Sequence, residues 1–244
     1  MASVLAQFGT WANTDVELSN NQYLWDDIAV VLLLSMTMLY TGASKTLSHE
    51  KPAATLFSLP IVASIGGQIA IYIAFYAISF AMLARQDWYC SLVDGVAYAF
   101  ENDTSVSLNC AIYNDYENDP DEIDYSFEDS VSWLYIHLSY IIVAVAFNLK
   151  DPFRLPFYTN KLFTTSLVVL FGLNIWFLLD NSGRLDTSFQ VMRMPMSFRW
   201  TLFGLFWAQA VVMVAWELVA TRVLPKWKAQ REEQQRRAKK LGSA

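Results

Sequence analysis

The chain has 244 residues, of which 55% are hydrophobic and 16% charged, and its formal net charge is −6. Mean hydropathy is +0.27, and a soluble domain would have to hide five long apolar runs. The composition therefore excludes an ordinary soluble protein and predicts an all-α, polytopic bundle of transmembrane helices. The sequence contains no Gly-rich phosphate loop and no His/Cys metal spacing, so no cofactor is expected to bind this chain.

Five apolar runs are long enough to cross a bilayer, which takes about 20 helical residues. Residues 1–12 are apolar but too short to cross, and they are interpreted as the remnant of a further helix. The five predicted spans belong to one membrane domain, 13–220. They lie at 23–43, 57–84, 130–149, 161–180 and 198–220.

Charge is distributed unevenly along the chain. Residues 86–149 contain no Lys or Arg, and the stretch 87–129 carries twelve acids. The tail 221–244 carries eight basic residues. Basic residues collect on the cytoplasmic side of membranes. Alternation across five spans therefore predicts that the acidic loop 85–129 is lumenal or extracellular and that the basic tail is cytosolic.

The predicted outer loop holds both cysteines of the chain, Cys90 and Cys110. Nineteen residues separate them, and an oxidising compartment permits a disulfide bond between them. Two free thiols are the alternative. The same loop contains Asn102, which begins an Asn-Asp-Thr glycosylation sequence, a weak signal on its own.

Several polar or small residues fall inside the predicted spans. The polar residues are expected to be interhelical hydrogen-bond partners rather than ligands. They are Gln68, His137, Asn174, Gln209 and Glu217. A stripe of small residues in the second span suits close helix packing. Its members are Ser64, Gly66, Gly67 and Ala70.

Two adjacent acids, Asp26 and Asp27, lie near the outer end of the first predicted span. Counting back about 20 residues from Ala43 places Asp27 inside the span, about one turn from its outer face. A carboxylate is expensive at that depth, and such a residue usually faces a polar pathway or a partner. The alternative is that both acids are solvated end caps in the headgroup region.

Six short motifs occur in a fixed order between roughly residues 20 and 220. They are QYLWDD at 22–27, MLYTG at 38–42, LFSLPIVAS at 56–64, QDWY at 86–89, EDS at 128–130 and DPFRLPFYTN at 151–160. In order and spacing they resemble helices six to ten of the type-V P-type ATPases, specifically the B branch, whose members transport polyamines.

The resemblance implies that this chain is the membrane-embedded C-terminal half of an ATP-driven transporter of polyamines or other organic cations. In that family ATP and Mg act in regions that would lie upstream of Met1. The missing membrane and catalytic regions of the pump are therefore expected partners, beside the lipid bilayer and without nucleic acid. The expected location is an endosomal, lysosomal or vacuolar membrane. The alternative is a stand-alone, non-enzymatic membrane protein, a partner or regulator derived from this region.

The resemblance also suggests substrate-binding residues. Asp27 matches the family's helix-six acid and is expected to contact a substrate ammonium. Tyr23 and Trp25 are weaker candidates for cation–π support, and anchoring at the membrane interface is the favoured role for both. Gln7 resembles a helix-five Gln of the substrate path. Asp26 replaces a hydrophobic residue of the family pattern and is the weaker acid candidate, expected to face the lumenal interface.

Overall fold

The structure is a computed structural model, and its described residues are 18–45, 59–95, 108–115, 125–149, 153–180 and 182–223. Four features predicted from the sequence lie outside them: the helix remnant 1–12, Gln7, Asn102 and nearly all of the tail 221–244. Within the described residues the fold is all-α and contains no strand beyond a single isolated bridge. The predicted fold class is therefore confirmed.

The first helical segment is continuous but changes its winding twice. It begins with α1 (Asn20–Leu24), where the side chains of Ser19 and Gln22 form a reciprocal capping box. A π-helical stretch, Trp25–Leu32, follows, and α2 (Leu33–Met38) completes the segment. Wide π turns are rare and frequently occur at functional sites.

Four further helices are long and apolar enough to cross a bilayer. They are α3 (Leu59–Leu83), α4 (Phe127–Asn148), α5 (Lys161–Leu179) and α7 (Met196–Leu218), with the short α6 (Arg184–Phe189) before the last. Both ends of each of these four helices lie within three residues of the ends of a predicted span. The first predicted span, 23–43, overlaps the first helical segment. A π-helical stretch divides this segment, and the segment is not one of the four long helices.

The helix α4 lies at the centre of the bundle. In α4, 72% of the apolar stretch that could cross a membrane is buried. In the other three long helices the buried share of this stretch is between 17% and 39%. A buried helix has to satisfy its polar groups internally. Ser126 caps α4 by accepting a hydrogen bond from the Asp129 backbone N–H at 2.9 Å. The hydroxyls of Ser130 and Ser139 donate to backbone carbonyls one turn earlier.

The helices α3 and α7 approach closely at two residues of the small-residue stripe, Ser64 and Gly67, whereas Gly66 and Ala70 are exposed. A Cβ atom at Gly67 would lie 1.8 Å from Nε1 of Trp216, so only glycine fits there. Trp216 donates from Nε1 to the carbonyl of Ala63 at 3.0 Å. The hydroxyl of Ser64 donates to Oε2 of Glu217 at 2.7 Å. Small side chains thus allow direct polar contacts between the two helices.

Three of the five polar residues predicted to bond between helices do so. Gln68 on α3 donates to Glu217 on α7 at 3.2 Å, and Gln209 on α7 bonds to two hydroxyls of α4. The prediction is wrong for His137 and Asn174, which are fully buried but have no side-chain hydrogen-bond partner among the described residues. Aromatic rings of α4 and α5 pack against His137, and the carboxylate of Asp26 that faces it lies 4.0 Å away, beyond hydrogen-bond distance.

The segment after α3 is fastened to the start of α4. Cys90 and Cys110 are joined in a disulfide bond with their Cα atoms 5.3 Å apart, which ties this segment to the 3₁₀ helix Leu108–Asp115. The hydroxyl of Tyr89 donates to Oε1 of Glu128 at 2.6 Å. Burial and this hydrogen bond raise the pKa of Tyr89 above its usual range.

At the opposite end of the bundle, the end of the first helical segment is fastened to the start of α5. An isolated antiparallel bridge pairs Ala43 with Arg154. The side chain of Asn160 caps α5 by accepting from the Phe163 backbone N–H at 3.1 Å. The same side chain donates to the carbonyl of Thr37 at 2.8 Å. Two segments that carry the family motifs are therefore in direct contact.

Candidate functional site

Gln22 anchors the N-terminal end of the first helical segment. Its side chain is fully buried. Nε2 donates to Oδ2 of Asp129 at 2.9 Å and to the carbonyl of Phe189 at 2.8 Å. Oε1 accepts from the Ser19 backbone N–H at 2.8 Å. The segment cannot rotate at this point without breaking hydrogen bonds to both α4 and α6.

Asp26 lies four residues after Gln22 and faces the same side, toward α4. It is only 3% exposed. Its Oδ1 lies 4.0 Å from Nδ1 of His137, and neither carboxylate oxygen has a hydrogen-bond partner among the described residues. The expectation that Asp26 faces the lumenal interface is therefore wrong, because the Gln22 anchor turns this face of the segment into the bundle.

Asp27, the next residue, is instead exposed at the surface of the bundle. The exposed residues around it are apolar. Leu24 and Val31, three and four positions away, are 58% and 39% exposed, and the adjacent Ile28 is 54% exposed. A carboxylate thus lies within an apolar face that no described part of the chain covers. In a bilayer, such a carboxylate requires a polar path or a partner.

Trp25 and Tyr23 are both half-buried and pack against the core. The Trp25 ring lies edge-on to Phe177 and Phe189, with centroids 4.9 and 6.3 Å apart. Trp25 also lines an open groove of about 380 Å³ beside α6, together with Leu24, Ile28 and Phe189. The structure uses this ring for packing, and a cation–π role for it remains a prediction.

The sequence interpretation missed the set of polar residues that faces Asp26. Asp129, Trp133 and His137 follow one another at intervals of four along α4, which places them on one face of that helix. Gln22 and Asp26 have the same spacing on the first helical segment. The equal spacing on the two helices is the sequence signal that could have predicted this set. The two faces meet at the Gln22–Asp129 hydrogen bond.

The described residues contain no group of three or more His, Cys, Asp or Glu that could hold a metal ion.

The fold and its buried polar side chains define a multi-pass α-helical membrane protein. Comparison with known proteins points to one group. The chain is 30% identical over 165 residues to "Probable cation-transporting ATPase 13A5" of Homo sapiens, which covers 66% of the chain. It is 27% identical over 206 residues to "Probable cation-transporting ATPase 13A4" of Homo sapiens, covering 84% of the chain. No family model matches the chain.

A third relative carries a more specific name. The chain is 27% identical over 206 residues to "Polyamine-transporting ATPase 13A3" of Homo sapiens, which covers 82% of the chain. The chain is therefore similar to a part of the 13A-type P-type ATPases, and the predicted resemblance to the type-V P-type ATPases is confirmed. It spans only 14 to 16% of the length of these three relatives.

Proposed function

We propose that this chain forms part of the membrane domain of an ATP-driven transporter of organic cations, and that Asp27 contributes to its substrate path. The observation that carries the proposal is the exposed carboxylate of Asp27 within an otherwise apolar face. The names of the relatives, which refer to cation and polyamine transport, support the same conclusion.

The chemistry of this face suits a polyamine, which alternates ammonium groups with methylene chains. An ammonium group that leaves water needs an anion or an aromatic face in exchange. Asp27 supplies the anion, and Leu24, Ile28 and Val31 supply apolar surface for the methylene groups between charges. Trp25, in the adjoining groove, offers an aromatic ring to a second ammonium group.

The exposed face of the first helical segment also requires a cover within the membrane. In this proposal the cover is formed by further membrane helices of the pump, which would complete the substrate path around Asp27. ATP, Mg and the phosphorylated intermediate belong to other regions of such a pump. The proposed location is an endosomal, lysosomal or vacuolar membrane with the tail 221–244 in the cytosol.

The test is a chimera in which residues 20–223 replace the matching region of a polyamine-transporting relative. ATP-dependent uptake of a labelled polyamine is measured in sealed vesicles. The chimera should transport, and Asp27→Asn should reduce uptake about tenfold or more, because a hydrogen bond to a charged group contributes roughly 1.5–3 kcal/mol.

The matched control is Asp94→Asn, which removes an exposed acid from the segment after α3 and should leave uptake unchanged. Full uptake by the Asp27→Asn chimera would contradict the role of Asp27. A chimera that reaches the membrane with its disulfide formed but does not transport would contradict the proposal as a whole, and would favour a stand-alone partner or regulator.

A further inference from the structure

Two buried titratable side chains face each other in the interior of the bundle without hydrogen bonds. Asp26 is 3% exposed and His137 is fully buried. Oδ1 of Asp26 lies 4.0 Å from Nδ1 of His137. Both carboxylate oxygens and both ring nitrogens lack a hydrogen-bond partner among the described residues. The carbonyl of Trp133 lies near the imidazole but does not form a hydrogen bond of normal geometry with it.

Few charges surround this pair within the described residues. The carboxylate interacts with Asp27 on its own segment, Asp129 on α4 and the phenol of Tyr72 on α3. From α5 the ring of Phe177 faces the imidazole, with centroids 6.3 Å apart. Arg199 on α7 donates to backbone carbonyls at the end of α5. The titratable neighbours that act on the carboxylate are therefore acids, which disfavour a second negative charge beside them.

The net charge of the Asp26–His137 pair depends on how many protons the pair holds. With no proton, a carboxylate is buried next to a neutral imidazole and no cation balances its charge. With two protons, an imidazolium is buried next to a neutral acid. Both states place an unbalanced charge in the interior, which is strongly unfavourable. With one proton the pair is neutral overall, either as carboxylate and imidazolium or as carboxylic acid and neutral imidazole.

We propose that Asp26 and His137 together form a buried site that binds one proton. The 4.0 Å separation is short enough for the proton to pass between the two groups after a small side-chain rotation or through one bridging water. The site is separate from the face of Asp27, which points out of the bundle. It goes beyond the proposed transport function and does not depend on it.

The test counts protons on the full 244-residue chain in lipid nanodiscs. The chain has only two histidines, so ¹⁵N-histidine NMR can resolve the charge of each ring. In His49→Gln the remaining histidine signal is that of His137. Infrared spectroscopy detects a protonated carboxylic acid of Asp26 as a carbonyl band that is lost in Asp26→Asn. The two signals together should account for one proton per chain between about pH 5 and about pH 8, where an isolated Asp is ionised and an isolated His titrates.

Two variants complete the experiment. In His137→Gln the carboxylate has to hold the proton alone, so the carbonyl band should be present throughout this pH range. Asp94→Asn, the same change at an exposed acid in the segment after α3, should leave both signals as they are in the parent chain. The proposal is overturned if the two signals together account for no proton or for two protons in the parent chain, or if His137→Gln shows no carbonyl band. A correctly formed Cys90–Cys110 bridge shows that each variant has folded.

Discussion

Asp26 and Asp27 are adjacent in the chain, yet Asp26 is buried against His137 and Asp27 is exposed at the surface of the bundle. The difference follows from Gln22, which is hydrogen-bonded to α4 and α6 and fixes the rotation of the segment. Asp26 therefore interacts with the interior of the bundle, and Asp27 is available to a partner that packs against the surface of the bundle.

The anchoring role of Gln22 predicts a loss of stability in Gln22→Leu. The change leaves Oδ2 of Asp129 without its buried donor, and an unsatisfied buried group costs about 1–3 kcal/mol. The free energy of unfolding in detergent should fall by that amount. Asn21→Ala is the control, because its hydrogen bond to the Ser188 carbonyl is exposed. Equal stability of the two variants would show that Gln22 is not an anchor.

The contact between α3 and α7 predicts opposite effects for two adjacent glycines. Gly67→Ala forces Trp216 to move, and such overpacking typically costs 1–3 kcal/mol. Gly66→Ala meets no atom within 4 Å, so it should be neutral or gain up to about 1 kcal/mol from the better helix propensity of alanine. Thermal unfolding of both variants in the same detergent measures the difference. Similar melting temperatures would contradict the close approach of these helices.

The disulfide predicts that Cys90→Ser destabilises the end of the bundle where α4 begins. A bridge that closes a loop of this length stabilises by roughly 3 kcal/mol in the loop-entropy model. Mass spectrometry of non-reduced peptides should find Cys90 linked to Cys110 in the parent chain. Two alkylatable thiols in protein purified without reductant would count against the bond.

The charge asymmetry of the sequence predicts the orientation of the chain in the membrane. Protease added to the cytosolic side of sealed vesicles should remove a tag placed after Ala244 and should leave the segment around the disulfide intact. The physical reason is the retention of basic residues on the cytosolic side. Protection of the tag would require an even number of spans or the reverse orientation.

The four long helices were predictable from the sequence because their apolar runs are long enough to cross a bilayer, and two of them also begin at a capping residue. Ser126 and Asn160 are caps whose side chains accept the first free backbone N–H groups of α4 and α5. The apolar runs between such signals set the helix lengths. The polar contacts of Gln68, Gln209 and Glu217 were predictable for a similar reason, since polar side chains in spans seek partners in neighbouring helices.

The orientation of Asp26 was not predictable from the sequence. On an α-helix an angle of about 100° separates adjacent residues, but this angle does not say which of the two acids faces inward. That choice depends on Gln22, whose partners lie 107 and 167 positions further along the chain. The change to π-helical winding at Trp25 also has no clear local signal, and it occurs at the residues on which the candidate site depends.

The polyamine concentration that half-activates ATP hydrolysis tests the central claim most directly, measured in a full pump that contains this chain's sequence. The claim predicts that Asp27→Asn raises this concentration about tenfold or more, because a charged partner of the ammonium group is lost. Asp26→Asn, which changes a carboxylate turned into the bundle, should raise it much less. An unchanged half-activating concentration in Asp27→Asn, or a larger effect in Asp26→Asn, would contradict the assignment of Asp27 to the substrate path.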